Sequence, residues 1–165
     1  MTQPIHPQTR MGRVALTVGS LDRSLDYYTT GIGLKLHQRE GDTMVLGSGS
    51  EELLVLTENR NGRPTHHTTG LFHFAILLPS RLELARFLNN LIQTETPIGG
   101  ASDHAVSEAI YLTDPDGHGI EVYRDRRRDE WEYPNGNLRL DANLRTKENH
   151  LAIHIALKLR PGFGH

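Results

Sequence analysis

The chain has 165 residues, with 18 basic and 20 acidic side chains and no cysteine. That length fits one compact domain or two halves of one. The small net charge of −2 argues against a nucleic-acid partner, because binding to a phosphate backbone requires a basic surface. We also expect no membrane span and no signal peptide, and a cytoplasmic protein. Without thiolates, any metal would be held by nitrogen and oxygen atoms, which the ten histidines and the carboxylates supply.

The first part of the chain predicts a strand, a helix and three further strands. Residues 13–18 have the strand pattern, and Ser20 is suited to be the N-cap of a helix that begins at Leu21. Gly31 and Gly33 mark the end of that helix. The apolar face of the helix comprises Leu21, Leu25 and Tyr28, and the three strands that follow are predicted at about 34–39, 43–47 and 52–57.

The same order of elements returns after a polar linker at 59–69. Residues 71–78 predict a strand, and Ser80 with Glu83 forms a capping box at the start of a second helix. The apolar stripe of this helix comprises Leu84, Leu88 and Leu91, and strands are predicted at about 105–113 and 119–124.

This internal repeat predicts an α+β fold of two βαβββ modules, at 1–58 and 70–124. Because one module has a single open sheet, we expect the two to pair and form a half-barrel cleft. Residues 125–165 are read as a charged tail in which the apolar run 151–159 predicts one extra strand.

Two polar residues lie inside otherwise apolar strands of the second module. His73 falls in the first strand, and Glu121 lies in the last strand between Ile120 and Val122. Side chains alternate across a strand, which places both residues on the face opposite the bulky apolar side chains. A carboxylate in such a position is costly unless it is paired or bound to a metal. We therefore predict that His73 and Glu121 bind a metal ion together.

Another reading of this pair remains open. The matching positions of the first module are Arg13 and Val55, which do not ligate metals. A bidentate ion pair from Arg13 would neutralise Glu121 without a metal.

The extra strand offers His154 as a third ligand. It is followed two positions later by an alanine, as His73 is. Two histidines and one carboxylate would form the facial triad of non-haem Fe(II) oxygenases, so His154 is predicted as the third ligand.

The sequence resembles the vicinal-oxygen-chelate superfamily over about residues 11–135. This superfamily includes glyoxalase I, bleomycin-resistance proteins and extradiol ring-cleavage dioxygenases. The second module is similar to the extradiol signature: His104, five residues, Ile110-Tyr111, two residues, the turn at 114–117, and Glu121. Ser102 departs from that signature. Within the superfamily, the chain is most similar to the amino-terminal half of longer catechol-2,3-dioxygenase-like proteins.

The resemblance implies a function and a set of roles. His73 and Glu121 correspond to iron ligands, and His104 to a histidine beside the catecholate and oxygen. From the residues themselves, Tyr111 is predicted to line the pocket, and His104 and Tyr111 are predicted to be the catalytic residues. The resemblance implies Fe(II) as the cofactor, with Mn, Ni or Zn as alternatives, and a small aromatic substrate. We expect a homodimer.

Two rival functions are kept beside the dioxygenase. One is a glyoxalase-type lyase or transferase with a divalent metal, and the other is a metal-free module that binds small molecules.

The turn at 114–117 includes two carboxylates, but the proline at its second position favours a tight turn over a calcium loop.

Overall fold

A computed structural model describes residue 6 and residues 12–63 and 70–131, which form two compact units. The first unit extends to Arg63, except that Thr30–Ile32 groups with the second unit. In each unit a strand, a helix and three more strands follow in that order, and the strands form one four-stranded sheet. The predicted α+β fold of two βαβββ modules is confirmed.

In the first unit, the sheet has the strand order β1-β4-β3-β2, and the neighbours β1 and β4 are parallel. The apolar face of this sheet buries Leu16, Val18, Met44, Leu46, Leu54 and Leu56. The elements are β1 (Val14–Val18), α1 (Leu21–Asp26), β2 (Lys35–Glu40), β3 (Thr43–Ser48) and β4 (Glu51–Glu58).

The first helix begins as predicted, and its helical turns end at Gly31, with Gly33 at a φ of 82°, also as predicted. The side chain of Ser20 accepts a hydrogen bond from the backbone of Arg23, which is the expected N-cap. After Asp26 the helix widens into a π-helical turn, Tyr27–Gly31. Ser24 is fully buried, whereas Leu25 is only half-buried, so the predicted apolar face was partly wrong.

In the second unit, the sheet has the corresponding order β5-β8-β7-β6, with β5 and β8 parallel. The elements are β5 (His73–Leu77), α2 (Arg81–Gln93), β6 (Gly100–Asp103), β7 (Ser107–Thr113), β8 (Gly119–Asp125) and a 3-10 turn, Arg128–Glu130. The sequence did not predict β6, because Gly-Ala-Ser-Asp has little strand preference. The strand predicted at 105–113 begins later, since Ala105 lies in the turn with φ of 64°.

The second sheet has two chemically different faces. Helix α2 packs its buried Leu84, Leu88 and Leu91 on the same side of the sheet as Ile120 and Val122 of β8. We call the opposite side of this sheet the site face, and strand alternation places His73, Tyr111 and Glu121 on it. The fold of the second unit thus separates an apolar core from a polar surface across a single sheet.

Among the described residues, none of the helices combines the length and the apolar composition needed to cross a lipid bilayer. The tail beyond Trp131, with the predicted strand at 151–159 and His154, lies outside the described residues.

Candidate active site

His73 and Glu121 lie side by side on the site face. In the parallel pairing of β5 and β8, His73 is opposite Gly119, and Ala75 is opposite Glu121. The two side chains meet diagonally, with Nε2 of His73 3.0 Å from Oε2 of Glu121. The His73 side chain is 33% exposed and that of Glu121 is 16% exposed. An imidazole and a carboxylate therefore meet at a partly screened position that a small molecule can reach.

The glycine opposite His73 is required for this meeting. A Cβ atom at Gly119 would lie 2.6 Å from the carbonyl oxygen of Phe72 and 3.0 Å from Cβ of His73. The first distance is shorter than real Cβ atoms show, and the second is tighter than most contacts. Gly119 therefore lets β5 approach β8 closely enough for the imidazole to reach Glu121.

Tyr111 joins the pair from the other side of β8. It lies opposite Glu121 in the antiparallel pairing of β7 and β8, and its hydroxyl donates to Oε1 of Glu121 at 3.3 Å. Burial, together with the charge and the hydrogen bond of Glu121, raises the pKa of Tyr111 to about 12. At neutral pH the phenol stays protonated and remains a donor to the carboxylate.

His104 extends the arrangement beyond Tyr111. Its Nε2 atom lies 2.9 Å from the Tyr111 hydroxyl oxygen, and the residue is exposed. Because the phenol has one hydrogen and donates it to Glu121, Nε2 of His104 is the donor in this pair. His73, Glu121, Tyr111 and His104 thus form a continuous row, and the structure brings together four of the five predicted site residues.

Apolar and aromatic side chains lie beside the row. Phe72 is 89% exposed, and its ring meets that of His73 edge-on with centroids 5.3 Å apart. Leu77 is also exposed and follows His73 on the same face of β5. Tyr123 follows Glu121 on the site face, and burial, with Asp125 and Glu121 nearby, raises its pKa. The polar row therefore lies next to a surface suited to a planar apolar molecule.

The donor atoms of His73 and Glu121 are of the types that bind divalent metals. An imidazole nitrogen and a carboxylate oxygen are ligands that Fe, Mn, Ni and Zn accept. The two donor atoms lie 3.0 Å apart, close enough for both to bind the same ion. In residues 12–63 and 70–131, no group of three or more histidine, aspartate or glutamate side chains could hold a metal. The predicted third ligand, His154, lies outside the described part of the chain.

The alternative partner of Glu121 is engaged elsewhere. Arg13 forms an ion pair of 2.6 Å with Glu52, within the first unit. Both carboxylate oxygens of Glu121 meet groups of the second unit, namely His73 and Tyr111. Each residue thus has partners within its own unit.

Sequence reasoning missed a cluster of charges on the helix side of the second sheet. Glu108 accepts hydrogen bonds from Arg81, Arg124 and Arg126, and the Arg124 side chain is only 6% exposed. The sequence signal was present, since the alternation of β7 and β8 places Glu108 and Arg124 on the buried side. Arg127 pairs with Asp129 at the surface, whereas Arg126 takes part in the cluster around Glu108.

The turn at 114–117 joins β7 to β8, as predicted. Asp114 is buried, and its Oδ1 accepts hydrogen bonds from the backbone of Asp116 and His118. Its Oδ2 lies 2.9 Å from Nδ1 of His118, and Gly117 has a φ of 93° that favours glycine. The carboxylate of Asp114 therefore holds the turn together and fixes the entry into β8.

Two βαβββ units, each with one four-stranded sheet, define an α+β protein built from a repeated module. A family model described as the Glyoxalase/Bleomycin resistance protein/Dioxygenase superfamily matches residues 10–122. The chain belongs to this superfamily, and the resemblance seen in the sequence is confirmed.

One relative is close in sequence. The chain is 47% identical over 131 residues to a Bacillus subtilis protein named catechol-2,3-dioxygenase. The match covers 78% of this chain and 46% of that protein, so the chain spans about half the length of the relative.

Solved structures with the same fold are more distant. A glyoxalase/dioxygenase from Nostoc punctiforme is 18% identical, with a TM-score of 0.62 over 77% of this chain and 99% of its own. A lactoylglutathione lyase from Agrobacterium tumefaciens is 22% identical, with a TM-score of 0.57 over 72% of this chain and 96% of its own. At such identities the likeness establishes the fold alone.

Proposed function

We propose that the protein acts as a metal-dependent extradiol dioxygenase that opens the ring of a catechol-type substrate. The observation that supports this most directly is the row of His73, Glu121, Tyr111 and His104 on one sheet face. The 47% identity to the protein named catechol-2,3-dioxygenase favours this reaction within the superfamily. In the reaction, catechol and O₂ combine, and both oxygen atoms enter the ring-opened product.

His73 and Glu121 would hold the metal, and we propose Fe(II). When bound, Fe(II) supplies a site at which the two catechol oxygens and O₂ meet. Two neutral imidazoles and one carboxylate would leave a net charge of +1, which favours a catecholate. His154 remains the proposed third ligand. A homodimer remains the proposed assembly.

The remaining residues of the row act on protons and orientation. Tyr111 donates to one oxygen of Glu121, which fixes the carboxylate and leaves the other oxygen directed at His73. His104 is exposed and its Nε2 donates to Tyr111, so Nδ1 is the ring nitrogen that has the lone pair. We propose that this nitrogen accepts the proton that a catechol hydroxyl loses on binding.

The surface beside the row suits the substrate. Phe72 exposes apolar area next to His73, where an aromatic ring can pack while its hydroxyls face the polar atoms.

The test begins with the purified chain loaded with Fe(II) without oxygen, after which its iron content is measured. Catechol and air are then added, and formation of the yellow ring-opened product is followed by absorbance. About one iron per chain and a yellow product would support the proposal, since one row holds one ion. Bound iron without any product would contradict the dioxygenase and leave the fold untouched.

Two outcomes would point to the rival functions. Turnover of a thiohemiacetal under nitrogen would identify a glyoxalase-type enzyme. Negligible binding of Fe, Mn, Ni and Zn would favour the metal-free binding module. The direct 3.0 Å contact of His73 with Glu121 supports that module as the second candidate, because a hydrogen bond from the imidazole also satisfies the carboxylate.

A further inference from the structure

We propose that Asp103 and Arg126 are positioning residues that hold His104 against Tyr111. Asp103 is the last residue of β6, and Arg126 follows the end of β8. The placement of His104 by these residues stands on the structure of the second unit. Its consequence for catalysis rests on the proposed function.

His104 lies in a strained turn between β6 and β7. The turn closes with a hydrogen bond from the backbone N–H of His104 to the carbonyl of Ser107 at 2.9 Å. Ala105 has a φ of 64°, a left-handed conformation that a residue with a side chain seldom adopts. Such a conformation persists only where surrounding contacts enforce it.

Asp103 supplies the first of these contacts. Its Oδ1 accepts a hydrogen bond from the backbone N–H of Ala105 at 3.0 Å, directly at the strained residue. This side-chain bond takes the place of a backbone partner and favours the tight turn. The carboxylate of Asp103 thus fixes the residue that follows His104.

Arg126 supplies the second contact and holds Asp103 itself. Its Nη2 donates to Oδ2 of Asp103 at 2.5 Å and to Oε1 of Glu108 at 3.1 Å. Its backbone N–H donates to the carbonyl of Val106 at 2.7 Å. One residue therefore fastens the turn on both sides of His104.

Further contacts hold Arg126 and its partner Glu108 in place. Glu108 lies opposite Asp103 in the pairing of β6 with β7, and it also accepts from the buried Arg124 at 2.9 Å. Trp131 donates from its ring nitrogen to the carbonyl of Arg126 at 3.1 Å. The guanidinium of Arg126 is thereby held at a fixed place relative to β7, the strand that includes Tyr111.

The positions of the two side chains on the hairpin explain how the contacts act on His104. Asp103 is engaged on the side where Glu108 and Arg124 lie, while the ring of His104 reaches Tyr111 on the site face. Charges on one side of the sheet therefore determine where the imidazole lies on the other. Without them, we expect Ala105 to relax to a common conformation and His104 to move away from the phenol.

The test compares two substitutions with one matched control. Asp103→Ala removes both contacts, whereas Asp103→Asn keeps an acceptor for Ala105 and loses the charge that binds Arg126. Asp129→Asn is the control, because it breaks an exposed aspartate–arginine pair, with Arg127, in the neighbouring segment. NMR spectra of the metal-free chain report the nuclear Overhauser effect between the rings of His104 and Tyr111 and the hydrogen exchange of the Ala105 amide.

We expect Asp103→Ala to abolish the His104–Tyr111 effect and to speed exchange at Ala105 about tenfold, the size of a lost local hydrogen bond. Asp103→Asn should keep the protection of Ala105 and weaken the ring contact. The amides of Ile110 and Val122 should be unchanged in both variants and everything should be unchanged in the control. An undiminished ring contact in Asp103→Ala would overturn the proposal.

Kinetics of the iron-loaded chain give a second readout. Asp103→Ala should lower kcat and leave KM nearly unchanged, and it should cost little further when His104 is already replaced by alanine. Independent, additive losses in the double variant would contradict a role through His104. If no ring-opened product forms with the wild-type chain, the proposed function fails, and the NMR comparison still decides whether Asp103 positions His104.

Discussion

The hydroxyl of Tyr111 donates to Oε1 of Glu121 across the antiparallel pair of β7 and β8. This contact lies at the centre of the row, because the same hydroxyl accepts from His104 and the same carboxylate meets His73. The phenol is held protonated by burial and by Glu121, which together raise the pKa of Tyr111 to about 12. Tyr111 therefore connects the proposed metal ligands with the proposed proton acceptor.

Replacing Tyr111 by phenylalanine tests this connection. Tyr111→Phe keeps the ring and removes the hydroxyl, so Glu121 loses a donor and His104 loses its partner. We expect metal affinity or kcat to fall by about tenfold to a hundredfold, the usual cost of losing a residue that orients a metal ligand. Metal titration and steady-state kinetics measure the two effects. Tyr123→Phe is the control, since no hydrogen bond joins that hydroxyl to the row among the described contacts.

Substitution of His73 tests whether the pair binds a metal at all. We expect His73→Ala to lose most of the bound iron and all of the ring-opened product, because one of the two proposed ligands on the site face is gone. Elemental analysis of the dialysed protein measures the first effect. His6→Ala serves as the control, because it removes an exposed histidine and should leave the iron content unchanged. Equal iron in wild type and His73→Ala would show that the metal lies elsewhere.

Much of this arrangement follows from strand alternation in the sequence. A glutamate between Ile120 and Val122 and a histidine next to Phe74 are each assigned to a face by their neighbours alone, and the structure places both on the site face. The repeat of elements likewise gave the two-module fold. Such inferences succeed because they depend on local periodicity, which the backbone imposes regardless of tertiary contacts.

What the sequence did not reveal depends on contacts between residues that are distant along the chain. The bond between Asp103 and Arg126 joins residues 23 positions apart, and neither side chain alone differs from an ordinary surface charge. Strand β6 was missed because its stability comes from pairing with β7 and not from its own residues. The π-helical turn after α1 was also missed, because the sequence contains no helix-breaking residue before Gly31 that would mark the change from the α-helix.

The close approach at Gly119 leads to a stability prediction. In Gly119→Ala, the new Cβ would meet the carbonyl of Phe72 and Cβ of His73 within 3.0 Å, so β5 must shift. We expect a loss of about 1–3 kcal/mol in the free energy of unfolding, as for other overpacked sites. Chemical denaturation measures it. Gly100→Ala is the matched control on the same sheet, because its Cβ would have nothing within 4 Å and should cost little. A similar loss in both variants would contradict the steric explanation.

Glu108 leads to a prediction about acid stability. Burial raises the pKa of this carboxyl, but the hydrogen bond and charge of Arg124, together with Arg81, outweigh it and hold the pKa below its usual 4.5. Because the folded state lowers the pKa, the carboxylate stabilises the fold above pH 4.5, and this contribution is lost as the pH falls through the folded value.

The substitution Glu108→Gln removes the charge at every pH and leaves the buried Arg124 with a weaker partner. At pH 7 we expect a loss of roughly 3 kcal/mol in the free energy of unfolding, the cost of breaking a buried ion pair. As the pH is lowered below 4.5, the difference from wild type should shrink, because wild-type Glu108 becomes protonated as well. Urea denaturation at a series of pH values measures this difference. Glu83→Gln is the control, since its pair with Arg86 is exposed and should change stability by less than about 0.5 kcal/mol. A difference for Glu108→Gln that stays constant down to the pH of acid unfolding would show that packing, and not the ionised carboxylate, is what the substitution removes.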